Sequence, residues 1–149
     1  GLFLAGVVMA AAIALHNLPE GMVIGASYAA DLAEAGEDGR MMALVIGLHN
    51  IPEGMAVAVP LAAGGASRGR AVLTTAVAGA PTVLGAVLGF CLGTMGPGLQ
   101  MLTLGGASGA MLYVVFGERL PESFRLCRSP APVMAAVLGV LTGMGVVLG

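Results

Sequence analysis

The strongest constraint on this chain is a series of apolar runs that are long enough to cross a bilayer and nearly empty of charge. Five of them, at about 2–30, 41–63, 70–93, 97–119 and 131–149, take up most of the 149 residues. A hydrocarbon core about 30 Å thick needs about 20 residues of helix to span it. Backbone N–H and C=O groups in lipid find no water, so each run has to satisfy its own ladder as a helix rather than as an open strand. The expected fold is all-α: a polytopic transmembrane helical bundle of five spans, forming a single transmembrane domain over 1–149. Composition closes the soluble alternative. Apolar residues make up 58% of the chain and charged residues 9%, against roughly 25% charged in a soluble domain. That leaves too little charge to cover a water-facing surface.

The connections are short and polar, which makes sequential helices antiparallel neighbours. Residues 31–40 are acidic, 64–70 form a tight basic turn, 94–98 a minimal turn, and Pro121 to Pro132 the longest basic loop. The cations are all arginines. Arg68, Arg70, Arg125 and Arg128 fall in the second and fourth connections, with Arg119 at a helix end, and the opposite side holds only Arg40. The positive-inside rule then puts the second and fourth connections in the cytoplasm, with the N-terminus of this chain inside and its C-terminus outside. The acidic connection faces out and reads as a solvated loop, with attraction of cations as a secondary role. No arginine-rich stripe or aromatic platform points to nucleic acid. Cys91 and Cys127 are far apart and lack metal-ligand spacing. Glycines recur four residues apart, as Gly21/Gly25, Gly85/Gly89, Gly105/Gly109 and Gly139/Gly143, a spacing that lets helix backbones approach closely in lipid.

The exceptions to the apolar pattern carry the chemistry. The first span holds His16-Asn17-Leu18-Pro19-Glu20-Gly21, and the second holds His49-Asn50-Ile51-Pro52-Glu53-Gly54. An acidic residue near the centre of a membrane helix costs about 2.5 to 3.5 kcal/mol, and two helices carry it together. His16 and Glu20 are at i and i+4 and share a helical face, as do His49 and Glu53. Asn17 and Asn50 sit one position around. An antiparallel pair turning both faces inward gathers two imidazoles, two carboxylates and two amides. Nitrogen with carboxylate oxygen suits zinc, iron, manganese, cobalt or nickel, whereas calcium wants mostly oxygen. Pro19 and Pro52 remove the helical donors for the carbonyls of Leu15 and Leu48, so a kinked or broken helix is expected at the site. Carboxylates at this depth need not be ionised before a cation arrives, so metal binding should release protons.

Two weaker features accompany the motif. Glu118 and Glu122 are four apart at the end of the fourth span. They fit either an interfacial helix end with Arg119 as counter-charge or, for Glu118, a relay carboxylate between the central site and the cytoplasm. Ala80-Pro81-Thr82 in the third span offers another kink and a hydroxyl.

With the doubled His-Asn-x-Pro-Glu-Gly motif and the segment from Gly105 to Tyr113 followed by Glu118-Arg119-Leu120-Pro121-Glu122, the chain resembles the ZIP family of zinc- and iron-regulated metal transporters, in particular its prokaryotic zinc-transport branch. That family has eight transmembrane helices, and this chain resembles the fourth to the eighth over essentially its whole length. The resemblance implies transport of divalent metal across a prokaryotic inner membrane, not catalysis. Zinc is the first substrate, and iron, manganese and cadmium are further candidates. It implies His16, Glu20, His49 and Glu53 as ligands of the main transport-site metal, and Asn17 and Asn50 with the bridging Glu20 and Glu53 as a neighbouring second position of a binuclear centre. Glu118 would lie near the exit path. A carrier that slides one helical block against another, a homodimer, and further helices of the same protein preceding the opening Gly1-Leu2-Phe3 are implied as well. One departure is visible: where some members carry an acid on the sixth helix, this chain reads Gly79-Ala80-Pro81-Thr82-Val83.

Three other readings stand beside it. One is an inactive structural fragment of such a transporter. Another is a channel for the same ions. The third is an intramembrane zinc metalloenzyme, which would need a general base beside its histidines, as in His-Glu-x-x-His; neither motif has one.

Overall fold

A computed structural model describes residues 1–34 and 36–148. It is helical throughout, with no strand among the described residues: α1 (Leu2–Glu34), α2 (Asp38–Ala63), α3 (Arg68–Thr94), α4 (Pro97–Tyr113), a π-helical stretch (Val114–Arg119), α5 (Leu120–Leu126) and α6 (Ala131–Leu148). Four segments, Leu2–Leu32, Asp38–Ala63, Arg68–Thr94 and Pro97–Leu126, are long and apolar enough to cross a membrane, and Ala131–Gly145 is a shorter apolar helix. Their outer faces carry many exposed Leu, Val and Met side chains, such as Leu15, Leu73, Val83 and Leu138. Water would not tolerate so much continuous apolar surface, whereas lipid does. The chain is an integral membrane protein with an all-α bundle.

Three local expectations are corrected. Pro19, Pro52 and Pro81 stand inside helices that continue through them, so of the two expected forms, kinked or broken, the broken one does not occur; each proline removes one donor. Pro121 does not open a loop. The chain widens into the π-helical stretch, Leu120 N–H reaches back to the Val115 carbonyl, and α5 follows directly, so the helix runs on through Pro121 with one donor fewer. The acidic connection is shorter than expected because α1 and α2 extend into it. Asp31 is a cap there: its carboxylate accepts from the backbone N–H of Asp38 at 3.0 Å and of Gly39 at 2.8 Å. It thus serves donors that the first turn of α2 cannot satisfy internally.

The structure forms two units, Gly1–Met111 and Leu112–Gly149. In the first, α1 lies against both α2 and α3. Tyr28 meets Gly39 near one end of the α1–α2 pair and Phe3 meets Gly64 near the other, so these helices run antiparallel. The α1–α3 contact is set by glycine. A methyl group on Gly21 would strike the Thr82 carbonyl oxygen, and one on Gly25 that of Ala86. From the other side, Gly85 faces the carbonyl of Leu18 and Gly89 that of Met22. The two small-residue pairs interdigitate so that backbone touches backbone. Gly105/Gly109 and Gly139/Gly143 have no such neighbour in their own units among the described residues. Buried Ala10, Ile13, Val57, Leu61, Ala71 and Ala78 fill the space where α1, α2 and α3 meet. Val23, Ile46 and Ala107 bring α4 onto α1 and α2. In the second unit, α5 packs against the π-helical stretch and α6.

Candidate metal centre

The i, i+4 spacing puts His16 above Glu20 on the inner face of α1 and His49 above Glu53 on that of α2. The antiparallel crossing brings the pairs together. His16 Nε2 lies 3.1 Å from Glu20 Oε1 and 3.6 Å from Glu53 Oε1. His49 Nε2 lies 3.5 Å from Glu20 Oε1 and 3.4 Å from Glu53 Oε1. The imidazole rings stand edge to face, 6.4 Å between centroids. One ligand atom from each of the four side chains falls within 4.8 Å of all the others.

Two physical arguments bear on this tetrad. A neutral imidazole carries one N–H, so each Nε2 can donate to one oxygen at most. The two nitrogens can make two hydrogen bonds, and the structure has four N···O contacts. Further, a tetrahedral cation held at 2.0–2.2 Å by nitrogen and oxygen ligands separates those ligands by about 3.3–3.6 Å. Three of the four N···O edges, at 3.4, 3.5 and 3.6 Å, match that spacing, and the fourth, His16 to Glu20 at 3.1 Å, is shorter. The donor set and its dimensions fit a first-row divalent cation.

The asparagines sit beside the tetrad. Asn17 is buried, and its Nδ2 donates to the Ala78 carbonyl of α3 at 3.0 Å. Together with Asn50, Glu53, Thr75, Gly79 and Val57 it lines a cavity of about 80 Å³, large enough for water or a hydrated ligand. The Oδ1 atoms of Asn17 and Asn50 are buried without a hydrogen-bond partner among the described residues, as is Thr82 Oγ1. An unmet buried acceptor costs about 1–3 kcal/mol, and each of these oxygens retains the capacity to accept from a donor or to meet a cation.

The structure therefore brings His16, Glu20, His49 and Glu53 together and places Asn17 and Asn50 alongside. The side chain of Glu118 lies outside the described residues. Its neighbour Glu122 pairs with Arg119 at 3.8 Å on an exposed surface. Sequence reasoning missed Thr75 and Gly79 as cavity walls and the Ala78 carbonyl as a partner of Asn17. The only signal near Ala78 was Pro81, three residues on.

Fold and site together define a class: an integral membrane protein with a His/Glu cluster, able to hold a metal ion, at the crossing of two apolar helices. A model of the ZIP zinc transporter family matches residues 1–149, and the chain belongs to that family. The chain is 40% identical over 114 residues to a curated protein described as zinc transporter GufA, from Myxococcus xanthus; the match covers 76% of this chain and 44% of that protein. The chain thus matches less than half the length of this relative. No solved structure matches it significantly.

Proposed function

We propose that the protein carries divalent metal cations, zinc foremost, across a prokaryotic inner membrane, and that His16, Glu20, His49 and Glu53 bind the cargo on the way. The observation that carries this reading is the closed set of four N···O contacts at 3.1–3.6 Å between apolar helices. Membership of a family described as zinc transporters and the likeness to GufA support zinc as the cargo. Iron, manganese and cadmium are secondary substrates on the same ligand chemistry. Asn17 and Asn50 offer oxygen to the cargo or its water from the adjoining cavity, and Glu118 relays cations toward the cytoplasm. Homodimerisation and sliding of one helical block against another belong to the same reading. So does the orientation with Arg68, Arg70, Arg125 and Arg128 inside.

The test is radiolabelled zinc uptake by proteoliposomes containing the whole protein. Uptake saturates with zinc and has the steep temperature dependence of a conformational step. Alanine at His16, Glu20, His49 or Glu53 abolishes most of it in at least three of the four cases. Normal uptake in all four variants would overturn the assignment of the site, and uptake that never saturates would favour a channel.

A further inference from the structure

Resting on that reading, we propose that the α3 backbone at Ala78 is a positioning element of the metal site: it holds the Asn17 amide so that an oxygen, and not an NH2 group, faces the cavity beside the His/Glu tetrad. A backbone carbonyl can only accept. The Asn17 atom 3.0 Å from the Ala78 oxygen is therefore the N–H donor, and the planar amide turns Oδ1 the other way. Asn17 is 2% exposed, so no solvent competes for either end. Its Oδ1 is buried and has no hydrogen-bond partner among the described residues, and the residue lines the cavity shared with Asn50 and Glu53. An oxygen there attracts a cation or orients its water. An amide nitrogen in the same place would repel it.

The approach of α3 makes this tether geometrically available. Leu18, the next residue after Asn17, has its carbonyl against Gly85, and Gly21 abuts the carbonyl of Thr82. With backbones in contact on this side, a short asparagine side chain reaches an α3 carbonyl directly. The second motif lacks the arrangement: Gly54 meets only the Thr75 methyl group, at 3.3 Å, and Asn50 makes no comparable bond among the described residues. Identical asparagines thus have different duties. The first is held in one orientation by α3, and the second has no such tether among the described residues.

The experiment compares the zinc affinity of the whole protein in detergent at pH 8 with those of Asn17→Asp and Asp31→Ala, by titration calorimetry. Aspartate keeps the size and an oxygen but, once ionised, cannot donate to Ala78 and is repelled by its carbonyl. Asn17→Asp weakens zinc binding about tenfold or more, the usual effect of removing a group that orients a ligand, whereas Asp31→Ala, which loses only the cap on the first turn of α2, binds as tightly as the parent. If the parent itself does not bind zinc, the functional reading fails. If the parent binds and Asn17→Asp binds equally tightly, the positioning role fails. Should Asn17→Asp not fold, solid-state NMR of the parent decides. The Asn17 Nδ2 to Ala78 carbonyl contact persists on zinc loading while the Asn17 Cγ resonance shifts. Loss of that contact, or an unmoved Cγ, would overturn the proposal.

Discussion

The two copies of the His-Asn-x-Pro-Glu-Gly motif differ in one side chain, yet the fold treats them differently. In the α1 copy, the His16 side chain is 8% exposed and that of Glu20 0%; in the α2 copy, His49 is 52% and Glu53 14% exposed. The difference comes from neighbours and not from the motif. Helix α1 has α2 on one face and α3 on another, and Gly21 lets α3 come to backbone contact. Helix α2 sits chiefly against α1, and among the described residues a methyl group added to Gly54 would meet only the Thr75 methyl group. Among the described residues, one copy of the duplicated sequence is thus enclosed by two neighbouring helices, while the other is covered chiefly by one.

The largest expected effect separates the carboxylates. Glu20 touches both imidazoles from a fully buried position. Glu20→Ala lowers zinc affinity by more than about 100-fold, beyond what loss of an outer partner causes, while at Glu53 water can take the vacated place and the loss is about tenfold. Calorimetry on the two variants checks this, and equal losses would break the distinction. Next come the glycines. Gly21→Ala forces a methyl group into the α3 backbone and costs about 3 kcal/mol, the upper range for overpacking. Gly54→Ala needs only a slight shift of Thr75 and costs about 1 kcal/mol or less. Unfolding curves of the purified variants read the contrast, and a stable Gly21→Ala protein would contradict the α1–α3 contact. The smallest effect concerns the start of α2. Asp31→Ala removes the cap on the Asp38 and Gly39 N–H groups and costs about 1 kcal/mol. Hydrogen exchange should rise in the first turn of α2, with zinc affinity changing little.

Much of this was legible in the sequence because it rests on periodicity. Apolar length dictates helices in lipid, and i, i+4 spacing dictates a shared face. Those rules alone pair His16 with Glu20 and His49 with Glu53. The Gly21/Gly25 and Gly85/Gly89 pairs were legible as contacts, though not as partners of one another. What the sequence did not reveal depends on tertiary neighbours. Nothing in two motifs that differ only as Leu18 against Ile51 says which copy is buried. A backbone carbonyl such as that of Ala78 leaves no signature in residue identity. The helix through Pro121 was misjudged because a π-helical widening absorbs the missing donor, and Asp31 was read as solvated because its donors come from the next helix.

The central claim is that two imidazoles and two carboxylates converge on one cation between α1 and α2. Zinc-edge X-ray absorption of the whole protein loaded with one equivalent of zinc tests it most directly. The account predicts a shell of nitrogen and oxygen ligands at about 2.0–2.2 Å with the outer scattering of two imidazoles, which disappears in a His16→Ala, His49→Ala double variant. A shell containing sulfur at about 2.3 Å, or one without imidazole scattering, would contradict it.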